Sequence, residues 1–226
     1  MLHNVEDLKA LHIEVGYDET TTFGNYTITV QNDPDGESPR EWDNLGTMVY
    51  WHRNYNLGDV DGSKEYSDPD MFWYDLAGIE DTDSDLSKAM ELANKRNVIL
   101  PLYLFDHSGI TMSTSSFSCQ WDSGQVGWIY VSYERIREEY SCKRVSAKMR
   151  KRIATYLENE VKTFDQFITN DIYGFNIERN DEDGEEVHID SCWGFYGYDD
   201  PYMTEEVIKG AIQYDIENTP AQAELF

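Results

Sequence analysis

The side chains best equipped for chemistry lie between residues 106 and 125, in DHSGITMSTSSFSCQWDSGQ. Cys119 could serve there as a nucleophile, His107 as its base, and Asp122 or Asp106 as the carboxylate that orients the imidazole. Thiol chemistry needs a thiolate, and a neighbouring imidazole supplies one by taking the proton. Gly109 and Gly124 would let the backbone approach a substrate closely. The competing reading is structural. Ser- and Thr-rich loops commonly bond their own backbone, and nothing in the spacing forces Cys119 and His107 together, so the structural role is the expectation.

A second cluster, DSCWGFYGYDDPY at 190–202, mixes carboxylates with rings: Asp190, Trp193, Tyr196, Asp199 and Asp200. Rigid aromatics beside acids suit an Arg-rich partner through stacking and paired hydrogen bonds. The plainer reading is a hairpin end packing its rings. In WHRNYNLGD at 51–59, His52, Arg53 and Tyr55 form a third mixture, whose Arg and His are expected to pair with the acidic excess.

Three loops offer oxygen ligands near a glycine: Asp33, Asp35 and Glu37; Asp59, Asp61 and Glu65; Asp181, Glu182 and Asp183. None has the twelve-residue loop ending in Glu that makes a specific calcium site. Solvated acidic turns are expected, with no metal and no cofactor. Cys119, Cys142 and Cys192 are odd in number and unrelated in spacing, which fits free thiols in a reducing compartment rather than a disulfide framework or a CxxC metal site.

Positioning these residues falls to a mixed set of elements. Leu11–Val15 and Tyr26–Val30 alternate apolar and polar residues, the period of a half-buried strand. Residues 31–41 read as a loop, 46–52 as a strand, and 56–70 as another loop, on their Asn, Asp, Pro and Gly content. Asp83 or Ser84 should cap a helix to about Arg96, with Leu86, Ala89, Met90 and Ala93 inward. Val98–Phe105 reads as a central strand in which Pro101 demands a bulge or an edge. Gln125–Ser132 is a further strand leading into a short helix through about Tyr140.

The longest regular pattern is Ser146–Thr169, where Met149, Ile153, Tyr156, Leu157, Val161, Phe164 and Ile168 keep a helical period. Ile172–Ile177 and Glu186–Ser191 suggest a hairpin about the turn at 180–184. A last helix starts near Thr204, capped by its hydroxyl, with Ile208, Ala211, Ile212 and Ile216 inward. Grouped strands favour an α+β fold: a mixed or antiparallel sheet packed with about three main helices. One globular domain over 1–226 is expected, with 1–40 as a peripheral β subdomain.

Charge narrows the function classes. The 226 residues hold 44 acidic and 18 basic side chains, a formal charge of −26. Residues 1–97 carry −14 and residues 171–226 carry −13, around a middle of +1. Segregated acidity suggests a surface that faces something basic. It argues against direct nucleic-acid binding, because phosphates would be repelled. Against that trend, Lys143, Arg144, Lys148, Arg150, Lys151 and Arg152 gather at the start of the long helix, where cations oppose the dipole. Acidic flanks of the same fold, or of a second subunit in a homodimer, would offset them. No apolar run approaches the roughly 18–20 residues that cross a bilayer. Glu6, Asp7 and Lys9 stand where a signal peptide would be apolar, so a cytoplasmic location is expected.

Three stretches together resemble a family of largely uncharacterised proteins of bacteriophages and conjugative elements: DNLGTMVYWHRNYNLGD at 43–59, LPLYLFDHSGITMSTSSFSCQWDSGQVGWIYVS at 100–132 and DSCWGFYG at 190–197. The resemblance covers the middle and late chain better than residues 1–40, and it brings no catalytic residues with it. It implies a small accessory protein working inside a bacterial host. Acidic proteins of that kind often act against host defence by imitating DNA. The leading expectation is therefore an inhibitor that binds the basic groove of a nuclease or a restriction- or CRISPR-type complex. The alternative is a cysteine-dependent hydrolase built on Cys119 and His107.

Overall fold

Strands and helices form where side-chain periodicity lets each element bury one face. In the computed structural model, which describes residues 5–80, 85–198 and 201–219, they run as follows in chain order. The first part holds α1 (Val5–Lys9), β1 (Asp18–Phe23), β2 (Tyr26–Asn32), a 3₁₀ turn (Pro39–Glu41), β3 (Thr47–Tyr50), β4 (Val60–Asp61), α2 (Gly62–Glu65), α3 (Pro69–Ala77) and α4 (Leu86–Arg96). Then come β5 (Asn97–Asp106), β6 (Ile110–Ser113), β7 (Ser123–Ser132), α5 (Tyr133–Glu139), α6 (Ala147–Ile168), β8 (Ile172–Asn180) and β9 (Glu186–Tyr196). A π-helical segment (Tyr202–Ile208) leads into α7 (Lys209–Asn218). The fold is α+β. Among the described residues no helix is long and apolar enough to cross a membrane.

The chain divides into two compact units, one made of Met1–Glu37 with Asn170–Phe226 (unit 1) and one of Ser38–Thr169 (unit 2). The N-terminal strands thus do not stand apart with residues 1–40. They join the last part of the chain in one antiparallel sheet of order β1-β2-β8-β9. Its inward rows are Tyr26, Ile28 and Val30 of β2 beside Phe175 and Ile177 of β8, closed by Leu8 of α1, Met203, Ile208 and Ile212. The opposite rows are polar, as in Thr20–Thr29–Asn176–Ser191 and Thr22–Thr27–Glu178–His188.

Unit 2 has three layers. Its sheet, β4-β3-β7-β5-β6, sends Met48, Leu102, Ile129 and Val131 toward Ile153, Leu157, Val161 and Phe164 of α6. The other face sends Val49, Trp128 and Tyr130 toward Phe72, Trp73 and Ala77 of α3 and Ala89 and Ala93 of α4. Arg40 ties the layers together at one end. Its guanidinium meets Asp59 at 2.6 Å and Glu160 at 3.1 Å, and it donates to the Gly46 carbonyl at 2.7 Å. Burial alone would lower Arg40, but the Asp59 and Glu160 carboxylates more than offset it and hold its pKa above the usual value.

Several expectations change on this fold. Leu11–Val15 forms no ladder: Ile13 is buried, yet the Glu14 amide donates to Thr21 Oγ1 at 3.2 Å, so the alternation reports core contact rather than strand pairing. The loop expected over 56–70 contains β4 and α2, and α3 starts at its end. Positions 83 and 84 lie outside the described residues, and the side chain that caps α4 is Asp85, which accepts from the Ser87 amide. Met90 and Tyr156 face outward, at 37% and 46% exposure. Thr204 is buried within the π-helical segment, and its hydroxyl donates to the Pro201 carbonyl instead of capping. The bulge expected near Pro101 falls between Leu102 and Tyr103, and β6 pairs only with the half of β5 beyond it.

Candidate functional site

Two candidate sites take shape, one in each unit. In unit 2, the end of β5, the turn into β6 and the loop before β7 are pinned together by the Asp106 amide, which donates to the Asp122 carbonyl at 2.8 Å. That bond sets the Asp122 side chain between two partners. Its Oδ2 lies 3.3 Å from His107 Nδ1 and 3.6 Å from Cys119 Sγ. The three residues named from sequence therefore meet, in the order His–Asp–Cys. In a thiol nucleophile the imidazole must stand against the sulfur to take its proton. Here a carboxylate stands there, and the His107 side chain is 65% exposed to solvent.

The 51–59 segment joins the same end of the sheet. The Tyr55 hydroxyl bonds the Asp106 carboxylate, which pushes the phenol up. His52 stacks on Tyr55 with ring centroids 4.9 Å apart and accepts from the Asn54 and Tyr55 amides. It does not pair with an acid as expected, and Arg53 joins none of the ion pairs among the described residues.

The second candidate lies in unit 1. Of the segment expected as a hairpin end, residues 190–196 form the end of β9, the edge strand of its sheet, paired in a hairpin with β8. Register slips between Tyr173 and Phe175, and in the slip the Trp193 ring lies on the Gly174 backbone. A Cβ at 174 would sit 2.0 Å from that ring, so glycine is required for the indole to lie flat. Trp193 keeps 49% of its surface exposed and walls a groove of ≈ 630 Å³ with Tyr17, Asp18, Gln31, Asp33 and Asp35. Asp33 is the buried anchor: Oδ1 accepts from the Asp35 amide at 3.1 Å and Oδ2 from the Gly194 amide at 3.1 Å. Asp18 accepts from Gln31 Nε2 at 3.2 Å. Tyr17, 73% exposed, faces solvent.

The other residues expected there have different places. Asp190 lies three residues along β9 from Trp193, roughly 10 Å at the usual strand rise, and accepts from the Ser191 amide at 2.9 Å. The Tyr196 hydroxyl donates to the Glu37 carbonyl, and burial pushes its phenol up, with Asp33 and Glu37 adding to the shift. Asp199 and Asp200 lie outside the described residues. Tyr17, Asp18, Asp33 and Asp35 were not expected beside Trp193. The only local signal was the acid spacing in NDPD, which suggested a turn.

Chemically, the groove offers two aromatic faces and carboxylates, and no Lys or Arg lines it. That combination accepts a cation, above all a guanidinium, which can stack on a ring and bond a carboxylate in pairs. In each of the three acid-rich loops, one carboxylate is used within its own loop. Asp33 bonds as described, Asp61 caps α2 through the Ser63 amide, and Asp181 accepts from the Asp183 and Glu185 amides. Among the described residues no group of three or more His, Cys, Asp or Glu side chains is arranged to hold a metal ion. No protein-family model, no curated protein and no solved structure matches this chain.

Proposed function

We propose that this chain is an acidic binding protein whose unit 1 occupies the basic, nucleic-acid-binding surface of a partner protein. One observation carries the reading. Unit 1 contains 23 acidic against 3 basic residues, a net −20, whereas unit 2 contains 21 against 15, a net −6. Two of the three cations in unit 1 are already neutralised inside it, Lys209 by Glu205 at 2.8 Å and Arg179 by Asp215 at 2.9 Å. Carboxylates on a sheet scaffold would then compete with phosphates for the same Lys and Arg side chains, and the Trp193 groove would take one of them. A nuclease or a restriction- or CRISPR-type complex is the partner class this chemistry fits. With the resemblance to mobile-element proteins, the role becomes inhibition of host defence.

The test is displacement. Proteins retained from a bacterial lysate by the immobilised chain should be released both by salt and by double-stranded DNA added at constant ionic strength. Retention that resists both, or direct retention of the DNA itself, contradicts the reading.

The convergence of His107, Asp122 and Cys119 favours a second reading, a thiol-dependent hydrolase. It requires the imidazole to replace the carboxylate at the sulfur when substrate binds. Cys119→Ala would abolish such an activity and leave cation binding by unit 1 unchanged.

A further inference from the structure

The start of α6 carries a cluster of positive charge that has no ion-pair partner among the described residues. Lys143, Arg144, Lys148, Arg150, Lys151 and Arg152 are all exposed, while Ile153 and Leu157 hold the helix against the sheet. Among the described residues none of the six joins an ion pair; Arg152 instead lies over the Tyr140 ring at 5.2 Å. Within the helix, no acid stands three or four residues from Lys148, Arg150, Lys151 or Arg152, and Lys148 has Lys151 and Arg152 at those spacings. Like charges so placed repel, and cations in a first helical turn oppose the dipole. Two acids further along α6 are engaged elsewhere: Glu160 binds Arg40, and Asp165 accepts from Thr111 Oγ1 and the Met112 amide. A patch held against these local penalties is suited to an anionic partner.

We infer that this face of α6 docks the acidic unit 1 of a second copy of the chain. Charge complementarity selects that occupant. Unit 1 has a net −20 and holds, at the β8–β9 turn, the exposed acids Asp183, Glu185 and Glu186. Free nucleic acid is the poorer fit, because a chain of net −26 repels phosphates and nucleic acid offers nothing for unit 1 to bind. A second copy offers both halves. Two such contacts can be reciprocal, closing a dimer, or can run head to tail. The inference rests on the reading of unit 1 as a cation-accepting surface, and it adds a consequence: self-association draws on the same acidic unit as partner binding, so the two compete.

Analytical ultracentrifugation of the full chain tests it. Association should be reversible, concentration-dependent and at least about tenfold weaker at ~0.5 M than at ~0.05 M salt, because the contacts are screened. The triple variant Lys148→Glu, Lys151→Glu, Arg152→Glu should be monomeric while melting no lower than the parent. The variant Asp183→Lys, Glu185→Lys, Glu186→Lys should fail to self-associate, yet pair with the first when the two are mixed. A chain that stays monomeric at every concentration and salt overturns the inference, as do variants that associate like the parent. A DNA-binding signal lost in the Lys148 triple variant overturns it too, by making nucleic acid the occupant. Titration with an arginine-rich peptide keeps the two readings apart. Peptide binding by a monomeric chain leaves unit 1 as proposed and removes only the self-association, whereas no peptide binding removes both.

Discussion

Units 1 and 2 are built from the same kinds of element and differ in where their charge goes. Unit 2 covers both faces of its sheet and keeps its one strongly buried cation, Arg40, between Asp59 and Glu160. Unit 1 covers one face, leaves polar rows on the other, and carries a net −20 on fewer residues. A surface so charged repels itself and weakens the compact state. On the proposed function, the charge serves a contact rather than the fold. On that reading unit 2 supplies the scaffold with both sheet faces covered, and unit 1 the surface for an encounter.

Disrupting unit 2 should have the largest effect. Arg40→Ala leaves two carboxylates facing each other in a partly buried site, and should cost about 3–5 kcal/mol. Denaturant titration would measure it, and a loss below about 1 kcal/mol would remove Arg40 as the organiser of that unit. Next comes the seat of the indole. Gly174→Ala puts a methyl where the Trp193 ring lies, which should cost about 1–3 kcal/mol by overpacking. It should also swing the ring out of the groove, read as a red shift in tryptophan emission that Trp193→Phe abolishes.

A smaller, pH-dependent effect belongs to unit 1. Burial, with the Asp171 carboxylate adding to it, pushes the Tyr173 phenol from 10.0 up to about 12. The fold thus favours the neutral phenol, so its stabilisation is complete below pH 10 and is lost as pH rises through about 12. The loss should be up to about 2 kcal/mol, and Tyr173→Phe should flatten the alkaline limb of a stability–pH profile. The smallest effect is expected at the thiol. Cys119→Ala removes a half-buried side chain whose one side-chain partner is Asp122, and stability should change by no more than about 1 kcal/mol. Loss of a measurable hydrolase activity in that variant would shift the functional centre to unit 2.

How much of this was legible in the sequence depends on the range of the contacts. The strongly patterned segments were readable: β2 and α6 lie where alternation and helical spacing put them, and β5 and β7 where apolar runs did, with Ser146 capping α6. Strand β1 was not readable, because DETTTF sits at a sheet edge and buries only Phe23, so its side chains show no alternation. Helix α3 carried usable punctuation, Asp68 as cap, Pro69 at its start and Gly78 left-handed at φ 65. Its consecutive rings Phe72, Trp73 and Tyr74 are all buried, which hides the helical period.

The sites were less legible still. The acid–His–Cys cluster was visible because its members lie close together in sequence, on either side of β6. Arg40 gave no local signal, since its carboxylate partners stand 19 and 120 residues away. The groove joins residues 17–35 to Trp193 through the pairing of β2, β8 and β9, which no window along the chain contains.

The central claim, that unit 1 is a cation-accepting surface, is tested most directly by titrating the full chain with a short arginine-rich peptide at several salt concentrations. The account predicts binding that weakens steadily as salt rises and is reduced in the double variant Asp18→Asn, Asp35→Asn and in Trp193→Ala, with the Cys119→Ala variant unchanged. Binding that is absent at low salt, or equally strong in all the variants and at every salt concentration, would contradict it.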